Sequence, residues 1–315
     1  MNDTAILIVT YNSAQEIGPC LEAALRTEAE IWVIDNASAD TTCAVVAGFP
    51  VHLIANPKNC GFAGAVNQGV RACKAKYLLL LNPDAVLTGG IEELRFRCEP
   101  SVVGATAGVL IGQTGQPQAG FTVRRLPTAG MLSFEVLGLN RLLPQNALNW
   151  RFRCFDLDLN TSTPLPVEQP AGALFMFRRE VWEALSGFDE QFYPLWFEDV
   201  DFCTRLRSLG KTILLIPNVT AKHTGAHSIL NMTLEIRESY WYGNLLKYAA
   251  KHFSPSGRKL VCVSVFLGAV LRFLTGMPVR GMRDVAVWRK VGQLAFRCFF
   301  GRPGWENEPN GGASA

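Results

Sequence analysis

Four carboxylates in two short segments are the groups best placed to do chemistry. Asp84 follows the apolar stretch of the run Tyr77–Val86, YLLLLNPDAV, and Glu198, Asp199 and Asp201 crowd WFEDVDFCTRL. Asp84 has no basic neighbour in sequence. A carboxylate so placed suits a divalent cation, and a hard cation matches phosphate oxygens. The acidic cluster has two readings. Acidic side chains in a first helical turn are ordinary partners of the helix dipole. The aromatic stretch Phe192-Tyr193-Pro194-Leu195-Trp196-Phe197 ahead of it could also exclude water. A shielded carboxylate titrates high and becomes a better general base. His223 lies in the loop KHTGAH with His227. It is either a structural histidine or a metal ligand that joins Asp84 and a diphosphate, while Lys222 offers a phosphate contact.

The elements that must position these groups alternate. Ala5–Thr10, Ile31–Ile34, Val51–Ile54 and Tyr77–Leu81 read as strands; Ser13–Leu25 and Ala65–Ala75 read as helices, the first with Ser13 and Glu16 spaced as a capping box. Such alternation predicts a parallel sheet with right-handed crossovers. Leu78–Leu81 is apolar without alternation, as in a strand covered on both faces. Asn82-Pro83-Asp84 ends that strand, because proline cannot donate to a ladder. Thr10-Tyr11-Asn12, Asp35-Asn36 and Asn82-Pro83-Asp84 therefore border one crevice at the carboxyl edge, where open α/β sheets bind ligands. Asp35 either contacts a ligand there or caps its own turn. No G-x-G-x-x-G follows the first strand. Residues 101–165 read as loops or a hairpin over a cleft, Leu174–Arg178 as a strand, Glu198–Arg207 as a helix and Thr212–Ile216 as a late strand before a polar loop. Residues 232–299 read as mostly helical, and 303–315 as a disordered tail.

The chain has 315 residues, 49% apolar and 18% charged, with a net charge of +3. That balance gives no ground for nucleic-acid binding. The charge is uneven: twelve Lys and Arg against five Asp and Glu from residue 230 onward, eighteen against twenty-two before it. A basic, apolar C-terminal portion suits either anionic lipid or a charged face on a soluble protein. Nine scattered cysteines without a C-x-x-C pair fit a reduced, cytosolic protein, and MNDTAILIVTYN reads as a first strand, not a signal peptide. The longest apolar stretch, Leu260–Leu271, falls short of the ~18 residues of a spanning helix and reads as buried or interfacial.

Seven segments in order, IVTYNSAQEIGPCL, WVIDNASAD, NPKNCGFAGAVNQG, YLLLLNPDAVL, AGALFMFRRE, GFDEQFYPLWFEDVDFCTRLRSLG and AKHTGAHS, resemble the family 2 inverting glycosyltransferases, specifically their bacterial rhamnosyltransferase-like branch. The resemblance covers roughly residues 4–230. It implies a GT-A fold: a mostly parallel central sheet flanked by helices, with a Rossmann-like nucleotide-sugar-binding half (1–100) and an acceptor and catalytic half (101–230). A helical, basic region (231–302) and the tail (303–315) complete the expected organisation.

Residue by residue, the resemblance implies that Asp35 reads the donor base and that Thr10, Tyr11 and Asn12 surround the nucleotide. Asn59, Gly61, Phe62 and Asn67 would border the donor. Asn82 and Asp84 occupy the D-x-D place, with asparagine for the first aspartate. Asp84 and His223 would hold Mg²⁺ or Mn²⁺, and Asp199 would be the catalytic base. Cys60 departs from the branch's usual leucine, and KHTGAH from its usual His-Gly-Gly pattern. The expected donor is dTDP-L-rhamnose, with a UDP-hexose as alternative. The expected acceptor is a surface or lipid-linked glycan at the inner face of the cytoplasmic membrane, reached through the C-terminal region. A sugar-phosphate nucleotidyltransferase and a non-catalytic glycan-binding protein are the rival readings.

Overall fold

The computed structural model describes residues 3–225 and 232–301, and of residues 277–285 only the backbone. His227 and the tail 303–315 lie outside them. Along the chain run β1 (Thr4–Thr10), α1 (Ile17–Ala24), β2 (Glu30–Asp35), α2 (Thr42–Val46), β3 (His52–Ala55), α3 (Gly61–Ala72), β4 (Tyr77–Leu81), β5 (Ala85–Leu87), α4 (Glu92–Cys98) and β6 (Val103–Ile111). Then come β7 (Val123–Arg124), α5 (Ala129–Val136), α6 (Leu139–Leu142), α7 (Ala147–Phe152), β8 (Leu165–Val167), β9 (Gln169–Pro170), β10 (Leu174–Arg178) and α8 (Arg179–Ala184). The described elements close with α9 (Glu198–Ser208), β11 (Thr212–His223), α10 (Leu234–His252) and α11 (Pro255–Phe299).

The main sheet has the order β3-β2-β1-β4-β10-β6-β11-β5, with β8 beside β11. Its first four strands pair in parallel, as the alternation predicts. The rest is mixed, not mostly parallel: β10 runs antiparallel between β4 and β6, and β5 and β8 run antiparallel to β11. The inserted strand has a purpose in the layout. Leu174 pairs with Leu81 and Arg178 with Tyr77, so β10 begins where β4 ends. Residues 169–173 thereby reach the same edge as Asn82, whose N–H bonds Ala173 O at 3.1 Å.

Alternate residues of each strand enter opposite cores. Leu78 and Leu80 pack with Phe175, Phe177 and Phe202; Leu79 and Leu81 pack with Ile6, Ile8 and Met176. All five residues of β4 are at most 2% exposed, as the unbroken apolar run requires.

Three expectations fail locally. The Ser13–Glu16 capping box does not form: α1 starts at Ile17, and the Ser13 N–H donates to Thr42 Oγ1 at 2.8 Å instead. The late strand runs on to His223, past Pro217, because the register slips between Ile216 and Thr220. A proline is tolerated where a bulge breaks the ladder. Finally, β6 is a nine-residue central strand, although residues 101–165 read as loops or a hairpin.

Two compact units emerge: residues 1–126 with 150–231, and residues 127–149 with 232–315. Residues 127–149, expected in the catalytic half, thus belong with the C-terminal helices. The reason is a close helix contact. A Cβ on Gly268 of α11 would stand 2.5 Å from Val136 O of α5, and Arg272 Nη1 donates to that same carbonyl at 2.6 Å.

Candidate functional site

The crevice starts at the ends of β1 and β2. Asp35 is 1% exposed and accepts from Thr10 Oγ1 (2.8 Å), Ser38 Oγ (2.5 Å) and Ser38 N–H (2.9 Å). Asn12, at φ 52°, donates its N–H to Ser38 Oγ and accepts from the Ala39 N–H, both at 2.8 Å. These groups lace two loops together. Tyr11, by contrast, is exposed at the rim. Asn59 Oδ1 accepts the Gly61 N–H at 2.8 Å and so shapes the entry to α3. Gly61 has φ 78°, and a Cβ there would lie 2.9 Å from the Tyr193 ring. The next N–H, of Phe62, donates to Pro194 O at 2.7 Å. The Asn59–Phe62 loop is thereby fastened to the segment that precedes the acidic cluster.

Asn67 is the clearest revision. Its Oδ1 accepts from Trp182 Nε1 (3.0 Å) and the Phe188 N–H (2.9 Å). Its Nδ2 donates to Phe188 O and Glu190 Oε1, both at 2.9 Å. Those four bonds use the full capacity of an amide. Asn67 is buried and clamps the Ser186–Glu190 turn, leaving nothing for a ligand.

Asp84 and His223 meet because β5 pairs with the end of β11: His223 is the register partner of Ala85. Asp84 Oδ2 accepts the Gly225 N–H at 2.9 Å, and Oδ1 lies 3.5 Å from His223 Nε2. Gln118 fixes the state of that imidazole. Its amide stands 2.9 Å from His223 O and 2.9 Å from His223 Nδ1. A carbonyl oxygen only accepts, so the atom facing it is the NH₂. The atom facing Nδ1 is then the amide oxygen, and Nδ1 carries the proton. In the neutral ring Nε2 is left bare, aimed at a carboxylate oxygen. Burial lowers the His223 pKa, against the opposing pull of Asp84. Phe121 stacks on the ring at 5.2 Å. Two lone pairs 3.5 Å apart repel unless a cation stands near them, and a ligating histidine characteristically has its other N–H held by a partner. The pair therefore fits two positions of a divalent ion; among the described residues no third His, Cys, Asp or Glu joins them. The Asn82 amide makes no hydrogen bond among the described residues and lies two positions from Asp84. Lys222 is exposed on the opposite face of β11 from His223, as strand alternation dictates.

Geometry sorts the acidic cluster into three roles. Asp201 is fully buried and paired to Arg205 Nε at 2.7 Å; Arg205 also donates to Leu185 O and Gly187 O. It braces the turn. Glu198 is buried, and its Oε2 has no hydrogen-bond partner among the described residues. Burial, then the neighbouring Asp199 charge, pushes its carboxyl well above the usual range. Asp199 is half-buried, and burial raises its pKa too, moderated by the Val200 N–H and by Arg124. Gln169 Nε2 donates to Asp199 Oδ2 at 3.0 Å. Gln169 and Arg124 are register partners across the β7–β9 pair, so this small sheet presents a donor and a cation to one carboxylate. Gly172 lies against Asp199 Cβ and the Phe62 ring: a Cβ added there would stand 3.9 and 4.0 Å from them. Asp199 and the Phe62 ring thus border the same crevice.

Gln118, Arg124, Gln169 and Gly225 carry weight that sequence reading missed. Gln118 sits in GQTGQPQAG, which reads only as a turn. A separate cavity lined by Asp3, Thr4, Ile91 and Arg95 opens at the amino end of β1, away from all these groups.

Comparison with known proteins agrees with this architecture. The chain is 28% identical over 245 residues to the N-acetylglucosaminyl-diphospho-decaprenol L-rhamnosyltransferase of Mycobacterium tuberculosis, covering 71% of this chain and 76% of that protein. It is 39% identical over 88 residues to the succinoglycan biosynthesis protein ExoO of Rhizobium meliloti, covering 26% of this chain and a quarter of ExoO's length. In structure it is similar to the mannosyltransferase PcManGT of Pyrobaculum calidifontis, solved with GDP-Man and Mn²⁺: TM-score 0.53, 16% identity, 97% of this chain and 88% of that one. It is also similar to GalNAc-T7, solved with UDP, GalNAc and Mn²⁺: TM-score 0.53, 14% identity, 80% of this chain and 50% of that one. Residues 5–185 match the profile of glycosyl transferase family 2, more than half of the chain. The chain belongs to glycosyl transferase family 2 and carries the GT-A-like mixed α/β fold of that family's enzymes.

Proposed function

We propose that this protein transfers a hexose from a nucleoside diphosphate-sugar to a glycan hydroxyl by a single inverting displacement, with Asp199 as general base. The observation that carries the reading is the placement of Asp199, held by Gln169 in the crevice that Phe62 lines, where burial raises its carboxyl pKa. Asp199 Oδ accepts the proton of the acceptor hydroxyl as that oxygen bonds to the anomeric carbon. The bond from that carbon to the diphosphate oxygen breaks on the opposite face, and its electron pair leaves with the diphosphate. Burial and the neighbouring Asp199 charge favour the neutral form of Glu198, which spares Asp199 a second negative charge beside it. Asp84 and His223 are the residues that would hold Mg²⁺ or Mn²⁺, which when bound neutralises charge on the leaving diphosphate. Asp35 serves by fixing the loops of Thr10 and Ser38, Tyr11 offers a ring at the rim, and Asn82 offers a free amide beside Asp84.

For the donor, a UDP-hexose stands first, supported by the nucleotide in the GalNAc-T7 likeness. The dTDP-L-rhamnose reading stands second; the named activity of the mycobacterial relative favours it. The acceptor class is a surface or lipid-linked saccharide, met at the cytoplasmic face of a membrane through the C-terminal helices. Transfer assays with UDP-hexoses, dTDP-L-rhamnose and GDP-mannose test the donor: one nucleotide should exceed the others at least tenfold in kcat/KM. EDTA should abolish turnover and Mn²⁺ restore it. Full turnover in metal-free protein would remove the metal role of Asp84 and His223.

A further inference from the structure

Helix α11 does not run straight. Lys259 Nζ lies over the Phe299 ring at 5.4 Å, and Arg272 Cζ over the Trp288 ring at 5.2 Å. A Cβ on Gly292 would stand 3.6 Å from the Phe266 ring, and the Cys262 and Cys298 thiols share a hydrogen bond. In a straight helix residues 259 and 299 would be about 60 Å apart. The early half is thus laid antiparallel against the late half.

The early half has two unlike faces. Val261, Cys262, Val265 and Ala269 are at most 2% exposed, packed within their own unit. Leu260, Val263, Leu267, Val270, Leu271 and Leu274 are 39–61% exposed. At 100° per residue these six fall within an arc of about 100°, a single stripe. No charge interrupts Leu260–Leu271. A contiguous apolar stripe of this kind on a charged helical unit needs a cover. The surrounding charge says which one. Residues 239–301 hold ten Lys and Arg against a single acidic residue, Asp284. Lys259, Arg289, Lys290 and Arg297 are all exposed.

We propose that this stripe of α11 lies in the plane of an anionic lipid leaflet, its leucines and valines in the acyl boundary and the surrounding lysines and arginines at the headgroups. Segment Pro255–Gly276 has the length and hydropathy of a span, but a third of it is buried in protein. Crossing the bilayer would strip that packed face and the Arg272–Val136 bond; in-plane docking keeps both. The proposal gives a physical face to the membrane contact inferred under the proposed function, and it stands or falls apart from the transfer chemistry.

The test is co-sedimentation of the full-length protein with vesicles, with no nucleotide sugar present. Vesicles of phosphatidylcholine with 30% phosphatidylglycerol should bind the protein at least tenfold more tightly than pure phosphatidylcholine, and the preference should fall in 0.5 M salt. The double substitution Leu267→Glu and Leu271→Glu should weaken binding at least tenfold, with helical content and melting temperature kept. Its transfer to a water-soluble acceptor should equal that of the unaltered protein. Unaltered protein that ignores both vesicle types overturns the proposal, as does a folded double variant that binds anionic vesicles unchanged. A dimer in sedimentation velocity that this variant dissociates, without vesicle binding by either form, assigns the face to a second copy and equally overturns it. Should transfer fail with every donor while vesicle binding holds, only the proposed function falls.

Discussion

The corner made by Thr10, Asp35 and Ser38 and the corner made by Asp84 and His223 stand on the same sheet, yet their polar groups are disposed in opposite ways. In the first, donors and acceptors meet one another: three hydrogen bonds converge on Asp35, which water barely reaches. In the second, Gln118 forces a bare imidazole nitrogen to face a carboxylate oxygen at 3.5 Å. The acidic cluster repeats the contrast within one helical turn. Asp201 is neutralised by Arg205, while Glu198 and Asp199 crowd together with raised carboxyls. A buried polar group that is satisfied holds shape; one left facing its own kind stores an interaction for something absent.

Removing a group from these crowded pairs should strike function first. Asp199→Asn should lower kcat by about 10²–10⁴-fold, the range of general-base catalysis, with nucleotide binding by calorimetry kept within twofold. In the unaltered protein the acid limb of kcat/KM should lie above the ordinary carboxylate range, since burial raises the Asp199 pKa and the base works only when ionised. Unchanged turnover in Asp199→Asn would erase the distinction between this carboxylate and Asp201.

Gln118→Leu comes next. It frees the imidazole to choose its tautomer, and Mn²⁺ affinity in the presence of nucleoside diphosphate, read by electron paramagnetic resonance, should weaken about 10–100-fold. Gln118→Glu, which keeps an oxygen toward Nδ1, should recover part of it. Equal affinities in all three proteins would make Gln118 a packing residue.

The satisfied set should answer in stability instead. Asn67→Ala strands the Trp182 Nε1–H and both backbone groups of Phe188. That should cost about 3 kcal/mol, a fall in Tm of roughly 6–12 °C, with KM for the donor unchanged. A variant that melts normally and loses donor affinity would move Asn67 back to the ligand.

The smallest effect is expected at Glu198. Its carboxyl is raised on folding, so its contribution to stability is whole below the unfolded value and is lost as pH rises through the folded one. Glu198→Gln is neutral at every pH. It should match the unaltered protein at pH 4 and melt roughly 2–5 °C higher at pH 8, with turnover within about threefold. A lower melting temperature at pH 8 would mean that Glu198 is ionised and paired in the native protein.

What could be read from the chain follows the range of the interactions. The four parallel strands and their crevice were legible, because each β-α step leaves a local hydrophobic pattern. The apolar run of β4 announced its double burial, and Asp84 its exit from the sheet. The antiparallel β10 was not legible as such. LFMFR declares a strand, but nothing in it declares direction or a neighbour almost a hundred residues earlier. Asn67 misled for a related reason: it stands a few positions after the Asn59–Phe62 loop in sequence, while its four bonding groups lie at residues 182–190. Gln118, Arg124 and Gln169 were hidden because each acts on a residue at least 30 positions away, through pairings that only the folded sheet creates.

The inserted β10 also sets a clock for the nascent chain. Leu174 is made 93 residues after its partner Leu81. At about 5–20 residues per second, every newborn copy passes about 5–20 s with the β4 edge open after β1 has docked on its other side. That edge is YLLLL, the most apolar strand of the sheet and a ready template for a neighbouring copy. Yield at high expression should therefore be governed by the speed of translation through residues 82–174 and by chaperones that shield that strand, more than by the stability of the finished fold.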